Sequence, residues 1–148
     1  MMVLAPSILA VAALSPASAL PADTLAANSY VHVVVAPPAR ATPGDTSDIV
    51  FRLMPEPGIH VNAEPAVSFR ADTAAGVTVS GSLEQTKDDA TGFLAVQAPL
   101  RQRIAFSRTA AGTPVFLKGT LTFFFCSDEE EWCMRAKQPV MVRFDGAP

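Results

Sequence analysis

The sequence predicts an all-β chain folded as an antiparallel sandwich. Three observations carry this. Short runs alternate apolar and polar residues, turn signals separate them, and no segment sustains a helical period. The 148 residues include 13 Pro and 8 Gly, scattered rather than clustered, as suits many strands joined by many turns.

Residues 1–19 carry no charge, contain an apolar stretch from Ile8 to Leu14 and end in Ala17-Ser18-Ala19. That pattern predicts a secretory signal peptide cut after Ala19, although no Lys or Arg precedes the apolar stretch. The rival, a membrane anchor, would need an apolar run of about 20 residues, and this one is well short of it. No cysteine lies near the cut to carry a lipid. Export, to the periplasm or beyond, implies an oxidising compartment in which a disulfide persists, and no membrane span after cleavage.

Residues 20–29 read as a flexible N-terminal segment, and 30–148 as one domain of about 120 residues, enough for a sizeable core. Tyr30 to Ala36 is a β-branched run closed by Pro37-Pro38, and Pro43-Gly44-Asp45 signals a turn. Ile49, Phe51 and Leu53 alternate with Val50 and Arg52, the period of a half-buried strand, and Pro55 to Gly58 turns again. Val77 and Val79 alternate with Thr78 and Ser80, and Ile104 and Phe106 with Arg103 and Ser107. Leu121, Phe123 and Phe125 share one face of the next run, while Thr120, Thr122, Phe124 and Cys126 share the other. Val140, Val142 and Phe144 form a final strand. Seven or more such strands predict a sandwich of immunoglobulin type. The net charge of −3 and the lack of a basic patch interleaved with aromatics argue against nucleic acid as a partner.

Cys126 and Cys133 are the only cysteines and bracket Ser127-Asp128-Glu129-Glu130-Glu131-Trp132. Ser127 to Glu130 fits the Ser-x-x-Glu capping box, so a helix of one or two turns starts here, or else a solvated acidic turn. A disulfide closing so small a ring contributes about 2–3 kcal/mol in the chain-entropy model. An immunoglobulin-type bridge instead joins distant strands across the core. The pair is thus poorly placed as a staple and reasonably placed as an accessible redox couple. Most cysteine pairs in secreted proteins are structural, however, and the spacing is not Cys-x-x-Cys. Composition leaves both open.

Gly119 to Cys133, with Phe-Phe-Phe-Cys, an acidic loop and a second Cys, followed by Pro139 and a closing strand, resembles the N-terminal periplasmic domain of the thiol:disulfide interchange protein DsbD. Gly58-Ile59-His60-Val61-Asn62 followed by Pro65 is similar to that family's early hairpin. The resemblance spans about Tyr30 to Phe144, and its most specific part is the cysteine segment. It implies an immunoglobulin-like sandwich that takes electrons from a thioredoxin-like donor and passes them to oxidised periplasmic partners. Cys126 and Cys133 match the family's redox pair, with Cys133 as the cysteine that engages the partner. The chemistry implied is thiol–disulfide exchange through a mixed disulfide, with no cofactor or metal.

Three departures accompany the resemblance. The stretch matching the family's aromatic cap loop, Lys87 to Phe93, has Ala90 where the aromatic would sit, with Phe93 a substitute one register away or an ordinary core residue. The inter-cysteine loop is one residue longer. The chain ends at Pro148 without the family's membrane conduit or thioredoxin-like domain, so the expected electron donor is a separate membrane or periplasmic protein.

The acids between the sulfurs disfavour a thiolate, whereas a helix N-terminus beside Cys126, or Arg135 and Lys137 beside Cys133, favour one. His32 and His60 read as strand residues before ligands. With Met54, Met134 and Met141 they could compose a copper site, but core Met is the better default. Trp132 is either a cover for the disulfide, a partner anchor or a buried loop anchor. The alternative function is a non-enzymatic immunoglobulin-like binding or assembly module whose bridge only fixes a loop.

Overall fold

The computed structural model describes residues 23–26, 29–38, 42–107 and 114–145, for 23–26 the backbone only. The expected signal peptide and its expected cleavage site lie outside the described residues.

Among the described residues nine strands form two antiparallel sheets, and there is no helix. The first sheet has the order β1 (Asp23–Ala26), β2 (Val31–Ala36), β3 (Thr46–Pro55), β7 (Leu100–Phe106), β6 (Val77–Val79). The second is built around β8 (Val115–Ser127). On one side β8 pairs with β4 (Ile59–Val61) near its end and β5 (Ser68–Ala71) near its middle, and on the other with β9 (Cys133–Phe144) along almost its whole length. Asp23–Ala26, within the segment expected to be flexible, pairs with β2 at the edge of the first sheet.

Alternation explains the core. Val31, Val33 and Val35 of β2, Ile49, Phe51 and Leu53 of β3, and Leu100, Ile104 and Phe106 of β7 point inward and are buried. They face Leu121, Phe123 and Phe125 of β8 and Val140, Val142 and Phe144 of β9 in one cluster. A polar exception, Gln102, is fully buried, and its amide donates to the carbonyls of Ser80 and Gly81 (3.0 and 3.3 Å), so its burial leaves no orphaned group.

Two local features shape the second sheet. Gly119 lies where β5 crosses β8, and a Cβ there would come within 2.6 Å of the Arg70 carbonyl and the Phe69 ring. Only glycine permits that approach. Pro139 sits in the middle of β9, where a proline is unexpected. The Ser127 N–H donates to the Trp132 carbonyl (3.0 Å), so that pair is hydrogen-bonded and every second rung from it likewise. Pro139, opposite Thr120, falls on the intervening type, whose amide positions face away from β8. Among the described residues β9 pairs with β8 alone, so the missing N–H removes no bond from the ladder.

Candidate functional site around the Cys126–Cys133 disulfide

Cys126 and Cys133 are bonded and stand opposite one another at the turn end of the β8–β9 ladder. By the alternation above they form a non-hydrogen-bonded pair, the closely spaced kind, and their Cα atoms are 4.0 Å apart. The two sulfurs differ in access: Cys126 is 7% exposed, whereas Cys133 is open to solvent.

The six residues between them form a turn, not a helix. Half of the expected capping box is present, since the Glu130 N–H donates to Ser127 Oγ (3.1 Å). The chain must nevertheless reverse within the ring to bring β9 back along β8, and Glu131 takes a positive φ of 53° to do so. No helix N-terminus therefore stands beside Cys126 to favour its thiolate.

The turn also divides its acids. Asp128 bends toward the outer face of the sheet and accepts a hydrogen bond from His60 Nδ1, while Glu130 accepts one from the Trp132 indole N–H (2.5 Å). Trp132 turns the other way, toward the core. It packs edge-on against Tyr30 (ring centroids 5.0 Å apart) and Phe125 (5.9 Å), so it anchors the loop rather than covering the disulfide.

The outer face around Cys126 is built by β4 and the loop that follows β6. His60 is the register partner of Cys126. The Asn62 N–H donates to the Phe124 carbonyl (2.8 Å) and the Asp128 N–H to the Gly58 carbonyl (2.9 Å), which makes His60 and Cys126 a hydrogen-bonded pair with side chains on the same face. Asn62, two residues on, brings its Oδ1 to 3.4 Å from Cys126 Sγ. The Thr86–Ala95 segment runs alongside β4: Leu94 N–H donates to the Val61 carbonyl (2.9 Å), and Phe93 bridges to Asn62. Asp88 caps the tip of this loop by accepting from Ala90 N–H (2.8 Å), with Gly92 at φ 76°. The result is a half-buried Phe93 ring stacked on His60, with centroids 3.6 Å apart and planes 12° off parallel. His60, Asn62, Phe93 and Cys126 share a cavity of about 250 Å³ whose rim carries Lys87 and Glu64, ion-paired at 3.5 Å. Ala90 is exposed at the tip, so the aromatic on this face is Phe93.

His60 and Asn62 were not singled out as site residues by sequence. Their signal was present in Ile59-His60-Val61-Asn62, where alternation puts both polar side chains on one face. What sequence withholds is that this face meets Cys126, 66 residues on. His32 lies elsewhere, on the first sheet, paired with Glu56 at 3.0 Å. Met54 is its register partner on the neighbouring strand, while Met134 and Met141 are exposed on β9, so these residues do not assemble into one site. Among the described residues no group of three or more His, Cys, Asp or Glu could hold a metal ion.

What fold and site define is an all-β protein with two antiparallel sheets and a local disulfide at a hairpin end. Compared with protein-family models, curated proteins and solved structures, the chain matches none.

Proposed function

We propose that this chain is a thiol–disulfide exchange protein of the kind found in the N-terminal domain of DsbD. Cys133 engages the partner and Cys126 resolves the mixed disulfide. The observation that carries this is the asymmetry of the pair: one sulfur-bearing residue faces solvent, and the other is buried behind it. An incoming thiolate reaches Cys133 and expels Cys126, which stays sheltered until it closes the ring again. The bridge also joins strands that the backbone already pairs from end to end, so it adds no link between the two sheets. The two-sheet architecture and the aromatic Phe93 on the Cys126 face agree with the family resemblance. The compartment is an oxidising one outside the cytoplasm, the periplasm, and the partners are thioredoxin-fold proteins, with the electron donor a separate chain.

Redox titration tests this. A midpoint near those of thioredoxin-like partners supports exchange, and one below about −300 mV marks a structural bridge and removes the proposal. Changing Cys126 to Ala should also leave Cys133 trapped as a mixed disulfide with a thioredoxin-fold protein.

A second reading, a secreted immunoglobulin-like binding module, has one observation in its favour. Phe116 and Met141 lie exposed on the outer face of β8 and β9, with the Arg143 guanidinium 5.8 Å above the Phe116 ring. In a binding module the Cys126→Ala chain would trap nothing.

A further inference from the structure

Resting on the exchange reading, we propose that His60, oriented by Asp128, is the proton-handling partner of Cys126. In an antiparallel pair, residues directly opposite hold their Cβ atoms about 5 Å apart, and His60 stands opposite Cys126 on the same face. Both line one small cavity, and the His60 side chain is 19% exposed. A carboxylate can only accept, so the bond to Asp128 puts a proton on His60 Nδ1 and leaves Nε2 as the nitrogen that gains or gives one. Phe93, stacked on the ring, fixes its plane. A carboxylate, an imidazole and a sulfur thus follow one another across the β8–β9 turn, β4 and β8, the order in which a carboxylate-held histidine activates a nucleophile.

The exchange step then balances. The thiolate of a dithiol donor of thioredoxin fold attacks Cys133 Sγ. The bond between Cys133 and Cys126 breaks as the bond between donor and Cys133 forms, and the electron pair leaves on Cys126 Sγ. His60, as imidazolium, stabilises that thiolate or protonates it. The donor's second thiol then releases Cys133, so that the donor leaves as a disulfide and this chain as a dithiol. In the onward direction Cys133 attacks an oxidised acceptor. Neutral His60 takes the Cys126 proton, and Cys126 closes the ring to release the reduced acceptor. Asp128 positions the ring throughout. The other charged groups lining this cavity are Lys87 and Glu64, paired with each other; on β9 the next outward position after Cys133 is the exposed Arg135.

The test isolates one thiol. In a Cys133→Ser chain, ultraviolet absorbance of the thiolate is followed against pH, with and without His60→Gln. The expected result is at least a tenfold lower Cys126 thiolate fraction at about pH 7 in the glutamine variant, with the two converging at about pH 10. Superimposable titrations overturn the proposal. Asp128→Asn supplies an independent sign, and its carboxylate is more than half exposed, so the fold is not at stake. If Asp128 orients His60, the thiolate fraction falls. If Asp128 acts only as a nearby negative charge, the fraction rises and the positioning role is lost. These titrations need no partner. A structural midpoint would retire the exchange reading while leaving the His60 result to stand or fall by itself.

Discussion

Reducing the disulfide should lower the stability of the folded chain by no more than about 2.5 kcal/mol. The ring runs from Cys126 to Cys133, a sequence separation of 7. Cross-linking so short a loop removes about 8 cal/mol/K of entropy from the unfolded chain, which is about 2.5 kcal/mol at room temperature. The folded state offers little reason for more, because β8 and β9 remain paired from Val115 to Phe125 without the bond. By comparison, truncating fully buried Phe123 to Ala should cost about 3–5 kcal/mol. Urea unfolding of the oxidised and reduced chain, followed by the emission of Trp132, measures the difference directly. The same quantity fixes the redox preference by a thermodynamic cycle. At about 30 mV per 1.4 kcal/mol, folding makes the pair about 55 mV more reducing than it is in the unfolded chain. A loss beyond about 4 kcal/mol, or a chain that unfolds on reduction, would refute this reasoning and mark the ring as a principal support of the fold.

In the reduced protein Cys133 should be alkylated at least about tenfold faster than Cys126, since only Cys133 is open to solvent, and peptide mapping after brief iodoacetamide treatment reads the ratio. Phe93→Ala should speed alkylation of Cys126 in the reduced protein severalfold and cost only about 1–2 kcal/mol, because the half-buried ring lines the same cavity as Cys126; equal rates would mean that Phe93 does not limit access to Cys126. Gly119→Ala should destabilise by about 1–3 kcal/mol, seen as a lower denaturation midpoint, because its methyl meets the Arg70 carbonyl and a Phe69 ring held against Phe51.

Much of the sandwich was legible because its strands have one wet face. A β-branched run marked β2, and alternation marked β3, β6, β7 and the Phe-rich half of β8, within a few residues. β4 was seen only within the Gly58-Ile59-His60-Val61-Asn62 hairpin resemblance, and β5 escaped because none of its four residues is fully buried. β9 was read only from Val140 onward, since buried Gln138 interrupts its apolar face and Arg135, Lys137 and Pro139 stand on the other. At the site, the cysteine pair was evident from composition. Its neighbours depend on a strand pairing 66 residues apart, which no local pattern encodes. The capping signal at Ser127 was real, but the need to reverse direction within the ring overrode it. Trp132 is half-buried because its loop folds back over Tyr30 and Phe125, a contact set by the fold and not by its cysteine neighbour.

The residues that hid β9 also bear on how copies of the chain behave together. A twelve-residue strand at a sheet margin offers a long row of backbone groups on which another molecule could build, the usual route to aggregation. Here Pro139 interrupts that row at its middle with a residue that has no N–H to offer. Arg135, Lys137 and Arg143 set positive charges along the outward face, so a second β9 approaching the same margin meets repulsion as well as a broken template.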